Sequence, residues 1–260
     1  MHHGVYVPHI SYSELKDWVF CAFYHKLTRV EKLSGFKGNV FTAFGTAVHA
    51  VCEKKLLKEE IEDQKYFIEQ FEESLSGLDD DVDIDYDLVS QMKEQSKSIL
   101  PEIEEALTEY FGDFQVLASE MPLMETIDGE EEYKFKGFID AIVVTPDRKV
   151  HIFDWKTCGW GWDARRRNDK MTTYQLTLYK HFFCKKMAID PKEVETHFAL
   201  LKRTAKHNNV EFFRVTSGPR KTENALKMLS KALYNIKNKR YIKNRLSCNR
   251  CDFRHTEHCP

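Results

Sequence analysis

The sequence of 260 residues has a formal net charge of −2, with 42% hydrophobic and 31% charged residues, an ordinary composition for a globular protein with one substantial core. It contains no membrane-length apolar run and no signal-peptide pattern, so we expect neither membrane insertion nor secretion, but a cytoplasmic location. The charge is unevenly distributed: residues 220–245 carry nine lysines and arginines against one acid, as in proteins that present a basic face to a polyanion.

The N-terminal segment predicts a helix that carries a cysteine. Ser11 and Glu14 have the spacing of a capping box, so we expect a helix to begin there and to run past Cys21. A lone cysteine in a helix is most often buried packing. The chain contains seven cysteines, however, and in a reducing compartment clustered cysteines bind metals more often than they form disulfides.

Residues 41–60 predict a second helix, in which Gly45 and His49 lie four residues apart and share a face. A single histidine on a helix is usually structural, whereas a glycine beside it allows a close approach to the imidazole. The acid-rich residues 54–112 predict a helical insertion around an acidic loop.

Strand patterns follow the helical region. Residues 114–124 predict a strand that carries Glu120, either a metal ligand or an edge-strand charge. Residues 133–144 and 150–156 then predict a hairpin, with its turn at residues 145–149. Strict alternation would put Phe135, Ile139 and Val143 on one face of its first strand and Asp140, Ile142 and Val144 on the other.

The register of this hairpin brings charged residues together. A turn centred on Asp147 pairs Ile142 with Ile152 and Asp140 with Asp154, and Lys156 then projects from the same face as Asp154. Two carboxylates this close are unfavourable without a proton or a cation between them, so the arrangement favours a divalent metal site. The alternative is a salt-bridged sheet surface on which Lys156 neutralises one aspartate.

The residues after the hairpin offer contacts for a nucleic acid. The loop 157–169 combines two tryptophans with Arg165 and Arg166, which suits base stacking and phosphate pairing but also fits an ordinary surface loop. Residues 171–187 predict a helix with Gln175 and Tyr179 on one face. The later predicted elements are strands at residues 196–203 and 211–215, a basic amphipathic helix at residues 222–241, and a terminal group formed by Cys248, Cys251 and Cys259.

Taken in chain order, these motifs resemble the RecB-like branch of the PD-(D/E)xK nucleases, in particular its iron–sulfur members: the AddB-type recombination nucleases, the CRISPR-adaptation exonucleases and the exonuclease V type. The resemblance spans residues 11–259 and departs from the usual pattern at Ala22, where proline is common. The matching motifs are Ser11-x-Ser13-x-Leu15 followed by Cys21, Gly45-xxx-His49, Gly137-xx-Asp140, Asp154-x-Lys156, Gln175-xxx-Tyr179 and the three terminal cysteines.

The resemblance implies an α/β restriction-endonuclease-like fold for residues 1–260, a central mixed sheet flanked by helices. It implies that His49, Asp140, Asp154 and the backbone carbonyl of Trp155 bind Mg²⁺ or Mn²⁺, with Lys156 acting on the attacking water and the transition state. Gln175 and Tyr179 would line the DNA channel. The implied activity is cleavage of single-stranded DNA at its ends. The implied process is recombination or repair, in which protein partners are compatible with the resemblance.

The cysteines allow two interpretations. The resemblance implies a structural [4Fe-4S] cluster held by Cys21, Cys248, Cys251 and Cys259, which would staple the N-terminal helix to the C-terminal region. A zinc site formed by the three terminal cysteines and His255 is also chemically sound, but leaves Cys21 unused. Two other functions remain open: a nuclease-inactive module that binds DNA ends, and a structural zinc protein.

Overall fold

The computed structural model describes residues 7–33 and 37–260. These residues form a mixed sheet of six strands with helices on both of its faces, as predicted. The elements are β1 (His9–Ser11), α1 (Tyr12–Phe20), α2 (Ala22–His25), α3 (Val40–Leu56), α4 (Asp63–Ser76), α5 (Tyr86–Ile99), α6 (Glu102–Phe111), β2 (Gln115–Ile127), β3 (Glu130–Val144), β4 (Val150–Cys158), α7 (Ala164–Arg167), α8 (Lys170–Met187), β5 (Val194–Lys202), β6 (Val210–Val215) and α9 (Pro219–Lys237).

Strand β3 organises the sheet. Antiparallel β2 follows one of its edges over nearly its full length, so β1 and β4 must share the other edge. Parallel β1 occupies this edge up to the pair Ser11–Lys136, and antiparallel β4 takes it up from the pair Phe153–Ala141. Residues 137–140 of β3 therefore have no strand partner on this side, and the sheet has a gap there.

The predicted hairpin register is confirmed from Val144–Val150 to Ile142–Ile152. The ladder ends one position later, at Ala141–Phe153, so Asp140 and Asp154 are not a paired rung. β4 pairs with β5 along its whole length, from Val150 to Cys158, and beyond Phe153 it is no longer paired with β3. The two aspartates thus flank the place where β3 and β4 separate.

The sheet divides the core into two layers. Helices α1, α8 and α9 cover one face, where Phe135 and Ile139 are buried, and helices α3 to α6 cover the other. The predicted grouping of Val143 with Phe135 and Ile139 is wrong, because Ile142 lies in their layer and Val143 in the opposite one. The alternation is interrupted where β2 contains Glu120 with φ +49°, between the pairs Met121–Ile139 and Ser119–Ala141.

Most predicted elements have shifted ends. The helix predicted at residues 41–60 ends at Leu56, and the helical insertion consists of α4, α5 and α6. The terminal basic helix begins earlier than predicted because Pro219 occupies its first turn, and it ends at Lys237. No helix among the described residues is long and apolar enough to cross a membrane.

A glycine at the gap in the sheet packs closely against α8. A Cβ atom at position 137 would lie 2.8 Å from Cε1 of Tyr179, a buried side chain of α8. We therefore expect Gly137→Ala to displace this ring and to lower the free energy of unfolding by about 1–3 kcal/mol, measured by chemical denaturation.

Gly77→Ala is the matched control, because its Cβ would meet no atom closer than 3.6 Å and its φ is −86°. The control should change stability by less than about 1 kcal/mol. If both variants lose the same stability, the close contact with Tyr179 is not a constraint on the fold.

Candidate active site

The gap in the sheet brings four of the predicted site residues together. Asp140 lies on the unpaired edge of β3, and the backbone N–H of Trp155 donates to its Oδ2 atom at 2.9 Å. This hydrogen bond joins the two strands just beyond the point where their ladder ends. From α3, Nδ1 of His49 lies 3.7 Å from the same Oδ2 atom of Asp140.

Asp154 is held by two side chains. Its Oδ2 atom forms an ion pair with Nζ of Lys156, two residues further along β4. Its Oδ1 atom accepts a hydrogen bond of 2.7 Å from Nε2 of Gln175, on α8. The side chain of Asp154 is only 3% exposed, and these two contacts fix its orientation.

The electrostatics of the site follow from burying two carboxylates side by side. Burial raises the pKa of Asp140 to about 6, although the charge of Lys156 acts to lower it. Burial and the neighbouring charge of Asp140 raise the pKa of Asp154 to about 6 as well. Burial by itself lowers the pKa of Lys156, but the charges of Asp154 and Asp140 outweigh this effect, so the net pKa is raised and the lysine stays protonated.

These residues fit a hard divalent cation. The donors are two carboxylates whose ionised forms are destabilised by burial, and a cation would stabilise them. Burial, together with the charge of Lys156, lowers the pKa of His49 to about 4, so this imidazole is neutral and able to ligate at neutral pH. The backbone of Trp155 is also in hydrogen-bonding reach of His49, which brings a carbonyl oxygen into the same set.

A cavity of about 1000 Å³ opens onto Asp140 and Lys156. Asp140, Lys156, Gln175 and Tyr179 lie in its wall, with hydroxyl, amine and guanidinium groups around them. Arg166 also lines it, and its guanidinium lies 4.5 Å from the ring centre of Trp162. Arg165 is exposed and does not belong to this wall.

Gln175 has a direct contact with the site. The resemblance implies that it lines a DNA channel, and it does border the cavity, but its amide is bound to Asp154. Its Nε2 atom is also 3.4 Å from the hydroxyl of Tyr179. Gln175 can therefore orient a carboxylate of the site itself.

Two further residues of the site are less evident in the sequence. Tyr12 lines the cavity, and its buried hydroxyl has no hydrogen-bond partner among the described residues. Burial, and then the charges of Asp169 and others, raise its pKa. Burial, followed by the charges of Glu53 and Asp154, raises the pKa of Glu120. The sequence offers a signal only for Glu120, as an acid in a strand, whereas Tyr12 is hidden within a capping box.

The four cysteines of the implied cluster line a second cavity, of about 440 Å³, between the N-terminal and C-terminal segments. The backbone N–H of Asn244 donates to Sγ of Cys21 at 3.2 Å. Burial raises the pKa of Cys251, and the nearby charges of Cys259 and Cys21 raise it further. No three ligand atoms of these cysteines and the adjacent histidines lie within 4.8 Å of one another.

The chain was compared with known proteins. Among solved structures, a "putative exonuclease" from Eubacterium rectale is 15% identical and matches with a TM-score of 0.60, covering 92% of this chain and 84% of that one. At this identity the likeness shows the fold alone. A second structure, of the protein SSO0001, is 12% identical and covers 93% of this chain and 92% of that one, but its TM-score of 0.36 supports no argument.

A search of curated proteins found no match. The model of the PD-(D/E)XK nuclease superfamily matches residues 9–259, a range that includes both strands at the gap, helices α3 and α8 and all four cysteines. The match covers nearly the whole chain, and the chain therefore belongs to the PD-(D/E)XK nuclease superfamily.

Proposed function

We propose that this nuclease is a metal-dependent deoxyribonuclease that removes nucleotides from single-stranded DNA ends. The observation that carries the proposal is the convergence of His49, Asp140, Asp154 and Lys156 at the gap in the sheet, beside an open cavity. The name of the Eubacterium rectale neighbour supports an exonuclease. The largely exposed ring of Trp160 and the guanidinium of Arg166 in the cavity wall support a single strand, because bases can stack on an aromatic ring and phosphates can pair with arginine.

In this proposal each side chain has a separate role. Asp140, Asp154, His49 and the carbonyl of Trp155 hold Mg²⁺ or Mn²⁺, and the imidazole favours Mn²⁺. When bound, the metal supplies Lewis-acid activation and neutralises charge on the scissile phosphate. Lys156 is protonated and donates hydrogen bonds to the attacking water and to the charge that develops on the phosphate. Gln175 keeps Asp154 in its ligating orientation.

Removing the charge of Lys156 tests the proposed chemistry. Lys156→Met should lower kcat for end-labelled single-stranded DNA with Mg²⁺ or Mn²⁺ by about 10²–10³-fold, because a donor aimed at transition-state charge is lost. Binding of the same DNA without metal should change little.

Lys97→Met is the matched control, since Lys97 is an exposed lysine of α5 that pairs only with Glu94 on its own helix. The control should retain full activity. A fully active Lys156→Met, or a wild-type protein that binds single-stranded ends without cleaving them under any divalent metal, would contradict the proposal; the second result would favour a DNA-end-binding module.

The raised pKa values of Asp140 and Asp154 predict how metal binding depends on pH. Both values rise from 3.8 to about 6 in the folded metal-free state. The folded protein thus holds these protons more tightly than the unfolded chain, and the stability that they contribute is lost as pH rises from about 4 to about 6. A divalent metal needs the ionised carboxylates and competes with the same protons.

We therefore expect Mn²⁺ to raise the Tm by several degrees at pH 7.5 and by much less at pH 5, measured by differential scanning fluorimetry. The variant Asp154→Asn should show little metal-induced shift at either pH. An equal shift at both pH values in the wild-type protein would mean that Mn²⁺ binds elsewhere.

We also propose that Cys21, Cys248, Cys251 and Cys259 hold a structural [4Fe-4S] cluster. The support is that the four cysteines line one cavity. Anaerobically purified protein should then be brown and contain iron and acid-labile sulfide. Cys21→Ser should lose both iron and thermal stability, because ligand binding and folding are coupled at such sites.

Cys158→Ser is the control, since Cys158 lies at the end of β4 away from this cavity. It should keep its iron. Freshly purified protein with stoichiometric zinc and no iron would favour the zinc interpretation of the terminal cysteines without affecting the proposed nuclease centre.

A further inference from the structure

A second group of potential metal ligands lies near the start of β4. His151 is the second residue of this strand, and Glu195 and His197 lie on the neighbouring β5, where parallel pairing puts His151 against Glu195. One ligand atom from each of the three residues lies within 4.8 Å of the other two, and this is the one such group among the described residues. We propose that His151, Glu195 and His197 form a Zn²⁺ site, separate from the nuclease centre.

The site is separate because of strand geometry. His151 precedes Asp154 by three residues, which amounts to roughly 10 Å along a strand. An odd spacing also puts the two side chains on opposite faces of the sheet. His151 and His197 accordingly contact Phe111, at the end of α6, whereas Asp154 meets α8. This proposal does not rest on the proposed nuclease function.

The distances suit one tetrahedral ion. Nδ1 of His151 and Nε2 of His197 face each other at 3.1 Å, and Oε2 of Glu195 lies 3.9 Å from the same Nδ1 atom. Two imidazole nitrogens at zinc-bonding distance from one ion are about 3.3 Å apart. A zinc ion would thus replace the single proton that the two imidazoles share, with a small movement of the partly exposed Glu195.

In each of the three side chains, the polar atom that faces away from the proposed ion already contacts another residue. Nε2 of His151 is 3.1 Å from the hydroxyl of Thr145, and Nδ1 of His197 is 3.1 Å from the hydroxyl of Tyr110. Oε1 of Glu195 accepts from Arg214 at 2.8 Å. Metal ligands in proteins are typically fixed by such outer hydrogen bonds, which set the tautomer and aim the free atom at the ion.

The surroundings of these three residues also suit a zinc ion. Both histidines are buried, and burial lowers the pKa of each, to about 3 for His197, so both imidazoles are in the neutral form that binds metal. Two imidazoles and one carboxylate form a ligand set suited to zinc with a fourth position left for solvent. A cavity of about 510 Å³ opens onto the three residues and can supply that solvent.

The competing explanation is a hydrogen-bonded chain without metal, running from Tyr110 through the two histidines to Thr145. The two explanations differ over Glu195, which belongs to the metal site but not to this chain of hydrogen bonds. Glu195→Gln keeps an oxygen able to accept from Arg214 and removes the anionic ligand, so it separates them without disturbing the buried histidines.

The experiment measures Zn²⁺ uptake by full-length protein after removal of metals with EDTA, by equilibrium dialysis with elemental analysis. Wild type should bind one equivalent more than Glu195→Gln at matched free zinc, or bind it at least about tenfold more tightly. Zinc should also raise the Tm of wild type more than that of the variant. His207→Asn, which removes an exposed histidine from a loop outside the group, should behave as wild type.

Cobalt separates this site from the cysteines and from the nuclease centre. In the Asp154→Asn background, Co²⁺ should give the visible absorption bands of a cobalt site with nitrogen and oxygen ligands. These bands should disappear when Glu195→Gln is added, while any charge-transfer band from thiolate ligands should persist. If the Glu195→Gln protein folds and matches wild type in zinc stoichiometry, affinity and cobalt spectrum, the proposal is overturned and the three residues are a hydrogen-bonded network only.

Discussion

The burial of two carboxylates beside one ammonium group is the constraint on which the structure of the site depends. Asp140 and Asp154 carry raised pKa values because they are removed from water, and Lys156 offsets only part of this cost. Burying a charge costs less when its oxygens have partners, and here the partners are the Trp155 N–H, the Lys156 ammonium and the Gln175 amide. A divalent cation would offset the part of the burial cost that Lys156 does not offset.

The fold supplies these partners by leaving β3 incomplete on one edge. Because β1 pairs with β3 only up to Ser11 and β4 pairs with it only beyond Asp140, a stretch of β3 lacks a strand partner on this edge among the described residues. In place of a ladder bond, the backbone N–H of Trp155 donates to the side chain of Asp140, and side chains from the helical layers on both sides of the sheet reach the same place. The site thus draws on α3, with His49, and on α8, with Gln175, and its geometry depends on both cores being formed.

The chain ends are joined by a different type of contact. Asn244 and Ser247, near the C-terminus, donate hydrogen bonds to the carbonyl of Phe20, at the end of α1, and Asn244 donates to the sulfur of Cys21. These bonds bring the terminal cysteines to the first one before any cofactor is considered. An iron–sulfur cluster at this point would reinforce an existing contact between regions more than 220 residues apart in sequence.

The sequence by itself determined the elements and the local register: the α/β class, the hairpin pairing up to Ile142–Ile152, and the identity of residues whose types suit metal and phosphate chemistry. These follow from local periodicity, capping and turn chemistry, which act over a few residues. Only the tertiary structure decided that β3 and β4 separate at Asp140, that Val143 faces away from Ile139 and that Gln175 binds Asp154. It also decided that Tyr12 lines the cavity of the active site and that His197 lies beside His151 and Glu195. Each of these depends on contacts between elements distant in the chain, because side-chain burial and strand partnership are set by the packing of whole layers and not by the neighbouring residues.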